Sequence, residues 1–236
     1  TGTTATFANN VDVGGRVVAN GSGGRTSAQD VFSGFPDATN AATSQIFANG
    51  SATFAADATI NSITVGRGGG NVNGNTAIGF LALDDNTTGS GNTGVGIQAL
   101  YDNTTGANNS AFGVSALHLN TTGSENVATG YQALFNNTTG IKNTATGFKA
   151  LLTNTTGQHN SAHGRLALGL NTTGSSNVAN GYASLYTNTT GTNNAATGLG
   201  ALQNNTTGSN NVANGWHSLY TNSTGVNHVA IGREAM

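Results

Sequence analysis

Asn126-Val127-Ala128-Thr129-Gly130-Tyr131-Gln132-Ala133-Leu134, with the Asn137-Thr138-Thr139-Gly140 that follows, decides the fold, because the phrase returns every 17 residues. Asn-Thr-Thr-Gly begins at Asn86, Asn103, Asn120, Asn137, Asn154, Asn171, Asn188 and Asn205. Asn222-Ser223-Thr224-Gly225 is a ninth copy in which one hydroxyl residue replaces another. A second glycine keeps the same step from Gly79 to Gly232. A leucine keeps it from Leu83 to Leu219, with Met236 in the tenth place. No insertion or deletion breaks the register between Asn75 and Met236. Such a period specifies repeats that stack on their neighbours.

Within a repeat, Asn126, Ala128 and Gly130 share one parity and barely vary between copies, while Val127, Thr129 and Tyr131 occupy the variable parity. Period-two alternation predicts a strand with one crowded face and one adaptable face. The small residues on the crowded face imply a close neighbour. Leu134 is expected past the strand, filling a narrow interior. Asn137–Gly140 is expected to be a turn, with Asn and Gly supplying positive φ and the threonine hydroxyls satisfying backbone groups. A second short strand or a turn must fit between Ala133 and Asn137 to close the rung. The expected fold is all-β: a parallel β-solenoid of ten 17-residue rungs. At about 4.8 Å per rung the rod is on the order of 50 Å long. Backbone ladders, stacked Asn side chains and a Leu column are expected to hold it.

Residues 71–236 form this repeat region. Residues 1–70 read as a β-rich N-terminal attachment or capping region. There, Thr6–Gly14 alternates like a strand, Thr53–Ile60 and Ile63–Arg67 echo it, and Phe32, Phe35 and Phe47 suggest packing. Gly68-Gly69-Gly70-Asn71 is expected to be the hinge between the two regions.

Composition narrows the function. Of 236 residues 7% are charged, the formal net charge is −2, and cysteine is absent. That leaves no basic field for nucleic acid and no polybasic membrane patch. No apolar run is long enough to span a bilayer. The chain begins at Thr1, consistent with processing or with a piece of something longer. The open β-edge at Met236 is expected to be covered by more chain, another domain or another protein.

The residue after the second glycine is Phe80, Ile97, Val114, Tyr131, Phe148, Arg165, Tyr182, Leu199, Trp216 and Arg233 in successive copies. Eight of these ten are large and apolar. An apolar stripe of that length is most simply buried between subunits, so a parallel homotrimer or another cyclic oligomer is expected. Tyr101, Phe135, Leu152, Tyr186 and Tyr220 form a second, partial stripe.

Asn75-Thr76-Ala77-Ile78-Gly79 and Asn126-Val127-Ala128-Thr129-Gly130 resemble the strand repeat of YadA-like head domains in trimeric autotransporter adhesins. That resemblance implies a left-handed parallel β-roll assembled as a trimer. The longer phrase, with Asn-Thr-Thr-Gly between Ala-Leu and Asn-x-Ala-x-Gly, is similar to repeats in bacteriophage tail-fibre proteins. Ile60–Asn71 resembles the lead-in of such repeats in fibres of marine cyanobacterial phages. The 17-residue step is longer than that of the adhesin heads, which favours the phage reading. The resemblance implies a virion protein, outside the cell, acting in host attachment. Its implied partners are other tail proteins at one end and a host receptor, a glycan among the candidates. A bacterial adhesin head is the alternative. Ice binding through threonine columns is third, disfavoured because adjacent Thr87 and Thr88 lack the Thr-x-Thr spacing that shares a face.

Chemistry finds little support. Asp84, Asp85 and Asp102 cluster as carboxylates that could bind a cation or move a proton, but solvated turn residues account for them more simply. His159 and His163 are four apart, a metal-binding spacing only on a helix. His118, His217 and His228 form no constellation. Every Asn-Thr-Thr is formally a glycosylation sequon, yet a turn explains nine copies better than nine glycans. No catalytic residue, metal ligand or cofactor is expected.

Overall fold

The computed structural model describes residues 30–33, 45–47, 52–53, 58–60 and 63–236. The chain divides into two compact units, Thr1–Ala55 and Ala56–Met236. In the first, β1 (Asp30–Ser33), β2 (Gln45–Phe47) and β3 (Ala52–Thr53) form an antiparallel sheet in that order. The strand expected at Thr6–Gly14 and the packing expected of Phe35 lie outside the described residues.

The second unit is the solenoid. Its sheet begins with β4 (Ala58–Ile60) and β5 (Ile63–Gly66). Ten three-residue strands follow, from β6 (Thr76–Ile78) to β15 (Val229–Ile231). The first two junctions are antiparallel and all later ones are parallel, each strand pairing with its counterpart one repeat on. Ala128 thus lies between Ala111 and Ala145. Nine rungs close fully and a tenth runs to Met236.

The alternation read from sequence sets the strand's orientation. In β9 (Val127–Thr129), Ala128 is buried while Val127 and Thr129 face out. A single sheet lines the rod, so only small inward residues leave room for the opposite wall. That wall carries the Leu column: Leu83 through Leu202 are completely buried. The remaining interior is polar. Asn86 and its counterparts to Asn205, with Asn92 and its counterparts to Asn211, are at most 2% exposed. Burying an amide unpaired costs about 1–3 kcal/mol, and here each is paired. Asn137 Nδ2 donates to Asn120 Oδ1 at 2.7 Å and to Gly140 O at 3.0 Å. Asn126 Nδ2 donates to the same Gly140 O at 2.8 Å, and Asn126 Oδ1 accepts the Asn143 N–H at 2.9 Å. Two asparagine ladders therefore converge on one glycine carbonyl per rung. Among the described residues no buried side-chain nitrogen or oxygen lacks a partner.

One open alternative is decided, and two expectations need correction. The segment between Ala133 and Asn137 contains no second strand. It is a turn in which Gln132 and Leu134 both take left-handed φ, 52° at each. Alternate left-handed residues reverse the chain within a few positions and let Leu134 N–H reach Ala150 O at 3.0 Å. Second, Asn137 and Gly140 are not in that region of φ. The asparagine serves the ladder. The glycine is required because a Cβ there would overlap Asn137 Oδ1 and lie 2.5 Å from Gly157 O. Third, Gly68–Asn71 packs onto the first rung. Gly69–Asn71 is a 3-10 turn whose Gly69 N–H donates to Leu83 O at 2.7 Å. It caps the turn side of the rod's first rung, as β5 caps its strand side.

The hydroxyl expectation holds in a sharper form. The N–H groups of Thr138, Thr139 and Gly140 converge on Thr155 O at 3.0, 3.2 and 3.3 Å. The Thr138 hydroxyl joins them at 3.1 Å.

Left-handed leucine yields a prediction. Interchange among Leu, Met and Ile normally costs less than about 1.5 kcal/mol. A β-branched side chain with positive φ is a genuine outlier. Leu134→Ile is therefore expected to lose about 2 kcal/mol more than Leu134→Met, measured as the difference in thermal unfolding. Equal losses would remove the backbone argument.

Candidate interaction surface

The outward face of each strand and the residue after the second glycine together form a continuous surface. Phe80, Ile97, Val114, Tyr131, Phe148, Tyr182, Leu199 and Trp216 all reach it, with exposures from 37% at Trp216 to 50% at Phe80. They are held in line by the glycine before each. Gly130 has φ 132°, and the glycines stack so closely that a Cβ on Gly130 would lie 2.6 Å from Gly147 O. Every side chain of the stripe thus leaves the backbone at the same angle, one rung apart. Ile78, Phe112, Val127, Val178 and Val212 on the strands widen the apolar area.

The stripe's charged members fit the same stacking. Tyr131 and Phe148 stack with centroids 5.4 Å apart. The Arg165 guanidinium lies between Phe148 and Tyr182, 5.4 and 5.6 Å from their ring centres. Arg233 covers Trp216 at 4.5 Å. Cation–π contacts of this kind let a guanidinium sit in an aromatic row without a carboxylate partner. Among the described residues the one ion pair is Arg233 with Glu234, at 4.0 Å between two exposed side chains.

The second stripe behaves differently. Tyr101, Phe135, Leu152, Tyr186 and Tyr220 are half-buried. His118 completes a ring stack between Tyr101 and Phe135, with centroids 5.2 and 4.9 Å away and nearly parallel planes. Among the described residues His118 belongs to no metal-ligand constellation and has a packing role instead. Its place in the 17-residue column, between two aromatic residues, was the available signal. Trp216, His217 and Tyr220 stack in turn, at 4.0 and 4.4 Å, and connect the two stripes near the last full rung.

Asp84 and Asp85 are exposed and Asp102 is half-buried. Their chain positions are fixed by backbone bonds such as Asp85 N–H to Tyr101 O at 3.0 Å. His163 faces outward and shares a hydrogen bond with Ser161 Oγ at 3.1 Å, while His159 occupies a left-handed turn position on another side of the rung. Among the described residues no three His, Cys, Asp or Glu side chains come together as metal ligands. No helix of the described residues is long and apolar enough to cross a membrane.

Two readings of Asn-Thr-Thr can be judged from geometry. An asparagine whose Nδ2 is buried and already donates twice cannot take a glycan in the folded rod. The first threonine of each motif uses its hydroxyl on the next rung's carbonyl, at 2.8 Å for Thr87 and 3.0 Å for Thr206. That leaves the second threonine, from Thr88 to Thr224, as the exposed hydroxyl column. No family model matches the chain, and neither a curated protein nor a solved structure matches it.

Proposed function

We propose that this chain is a rigid structural rod acting in attachment: the shaft of a bacteriophage tail fibre, assembled as a parallel homotrimer. The observation that carries the reading is the one-rung-spaced stripe from Phe80 to Trp216, apolar except at Arg165 and exposed along its whole length. A face that repeats at the ladder spacing is matched in register over many rungs only by a partner with the same repeat. A second copy of the chain has that repeat by identity, and parallel copies about an axis bury the stripe by symmetry. The tail-fibre assignment is supported by the Asn-Thr-Thr-Gly phrase and by Ile60–Asn71, and the low charge suits a spacer whose contacts work through avidity. A bacterial adhesin head shares the Asn-x-Ala-x-Gly strand and is the second reading. Ice binding is weaker, because one threonine column is committed to backbone bonds.

The test is light scattering on the purified chain and on Tyr131→Ser/Phe148→Ser. The expected result is a trimer mass for the parent. The variant is expected to shift toward monomer, because central aromatic anchors contribute about 2 kcal/mol or more each. A monomeric parent overturns the assembly and weakens both attachment readings. Capsid and tail genes beside this one would favour the phage reading; a neighbouring membrane-anchor segment would favour the adhesin.

A further inference from the structure

We infer that Asn73-Gly74 is a site of self-catalysed deamidation, set by Arg67 at the capped end of the rod. The described residues contain three Asn-Gly pairs: Asn73-Gly74, Asn180-Gly181 and Asn214-Gly215. The chemistry requires the glycine nitrogen to attack the asparagine Cγ. The new C–N bond forms, the glycine N–H proton is relayed through solvent to Nδ2, and Nδ2 leaves as ammonia. Water then opens the cyclic imide at either carbonyl, giving aspartate or isoaspartate.

Two of the pairs are held against this reaction. Gly181 N–H donates to His163 O and Gly215 N–H to Thr197 O, both at 2.8 Å, inside the parallel ladder. Attack there requires breaking a ladder bond and turning a strand residue away from its neighbours. Asn73-Gly74 precedes the ladder instead. Both residues are exposed, and Gly74 is so open that a Cβ would meet just one atom within 4 Å, Gly91 N at 3.7 Å.

Arg67 adds the catalytic feature. Its Nη1 donates to Asn73 Oδ1 at 2.8 Å, and the same group reaches Asn71 O at 3.4 Å. Oδ1 is the atom that gains negative charge as the glycine nitrogen adds to Cγ. A guanidinium placed there stabilises that oxyanion more than the neutral amide, the requirement for electrostatic catalysis. It also neutralises the carboxylate product. The result is an ion pair in place of a neutral hydrogen bond, beside the cap that Gly69 and Gly70 make with the first rung.

The test is peptide mapping by mass spectrometry of the whole chain held in mildly alkaline buffer, scoring amide-to-acid conversion at each Asn-Gly pair. Asn73 is expected to convert at least about tenfold faster than Asn180 and Asn214, whose exchange requires opening of the ladder. Arg67→Gln is expected to slow Asn73 by about tenfold, with Arg67→Lys intermediate, because one oxyanion donor is removed. In denaturant the three rates should converge and the Arg67 dependence should vanish. Equal native rates at the three pairs would overturn the site. A native Asn73 rate that Arg67→Gln leaves unchanged would overturn the role of Arg67.

Discussion

Gly140→Ala should collapse the cooperative unfolding of the rod, although Gly140 has an ordinary backbone conformation. Ala is normally a mild replacement for a glycine with negative φ, and it often stabilises by restricting the unfolded chain. Here the added methyl would overlap Asn137 Oδ1, lie 2.5 Å from Gly157 O and 2.9 Å from Asn154 Nδ2. None of the three can yield cheaply. Two are members of the asparagine ladder, and the third is the carbonyl that takes Asn143 and Asn154 side-chain donors. Overpacking alone costs about 1–3 kcal/mol. Displacing the ladder leaves buried amides unpaired at about 1–3 kcal/mol each. A total near 4 kcal/mol or more is expected, at a rung in mid-rod, where neighbour-only contacts let the two halves uncouple. Gly169→Ala is the control. Its nearest neighbours are ring atoms of Tyr186 at 2.8 and 2.9 Å, a side chain that can swing outward, with Leu166 O at 3.1 Å the one backbone contact. It should cost less than about 1 kcal/mol. Circular dichroism melts of the two variants decide the matter, and similar losses would refute the account.

The contrast shows what could be read from sequence and what could not. The 17-residue step, the inward Ala128 parity, the Leu134 column and asparagine stacking were all legible. Each depends on a side chain's size or polarity, which a residue type states directly. The exposed stripe was legible for the same reason. Backbone reversal was not, because the inter-rung ladder, rather than residue preference, forces Gln132 and Leu134 into left-handed φ. A signal did exist in what is missing. The column of Gln132 holds Leu, Gln, Ser, Lys, Ala, Gly, His and Glu but never Val, Ile or Thr, and the Leu134 column is never β-branched. β-Branched residues are common three and five places before Gln132, in the Thr129 and Val127 columns, so their absence marks positive φ. The Asn-Thr-Thr-Gly motif misled for a related reason. Asn and Gly are turn residues by habit, but here they are selected by a side-chain ladder and by a close approach. Gly68–Asn71 likewise looked like a hinge, because glycine permits freedom and close packing equally.

The asparagine ladder supplies the other large effect, and it carries a pH signature. Asn137→Asp preserves shape while removing both protons that Asn137 gives to Asn120 Oδ1 and Gly140 O. The new carboxylate oxygen would face those two acceptors in a fully buried column with no cation beside it. Ionised, it is expected to cost about 5 kcal/mol at neutral pH, as an unpaired buried charge does. Protonated, it recovers one donor and the penalty falls toward that of Asn137→Ala, about 3 kcal/mol. Burial without a counter-ion raises the carboxyl pKa in the folded rod above its unfolded value near 3.9. The folded state then binds more protons than the unfolded one, so stability must fall as pH rises from about 4 through the raised value. Asn137→Asp should therefore approach Asn137→Ala in acid and drop below it at neutral pH. Asn222→Asp, at the half-buried end of the same ladder, should show a smaller loss and a weaker pH slope. Urea melts of the three variants across that pH range measure both terms. A flat profile for Asn137→Asp would mean that water reaches the ladder, and that the rod's interior is not the sealed amide column on which its stiffness depends.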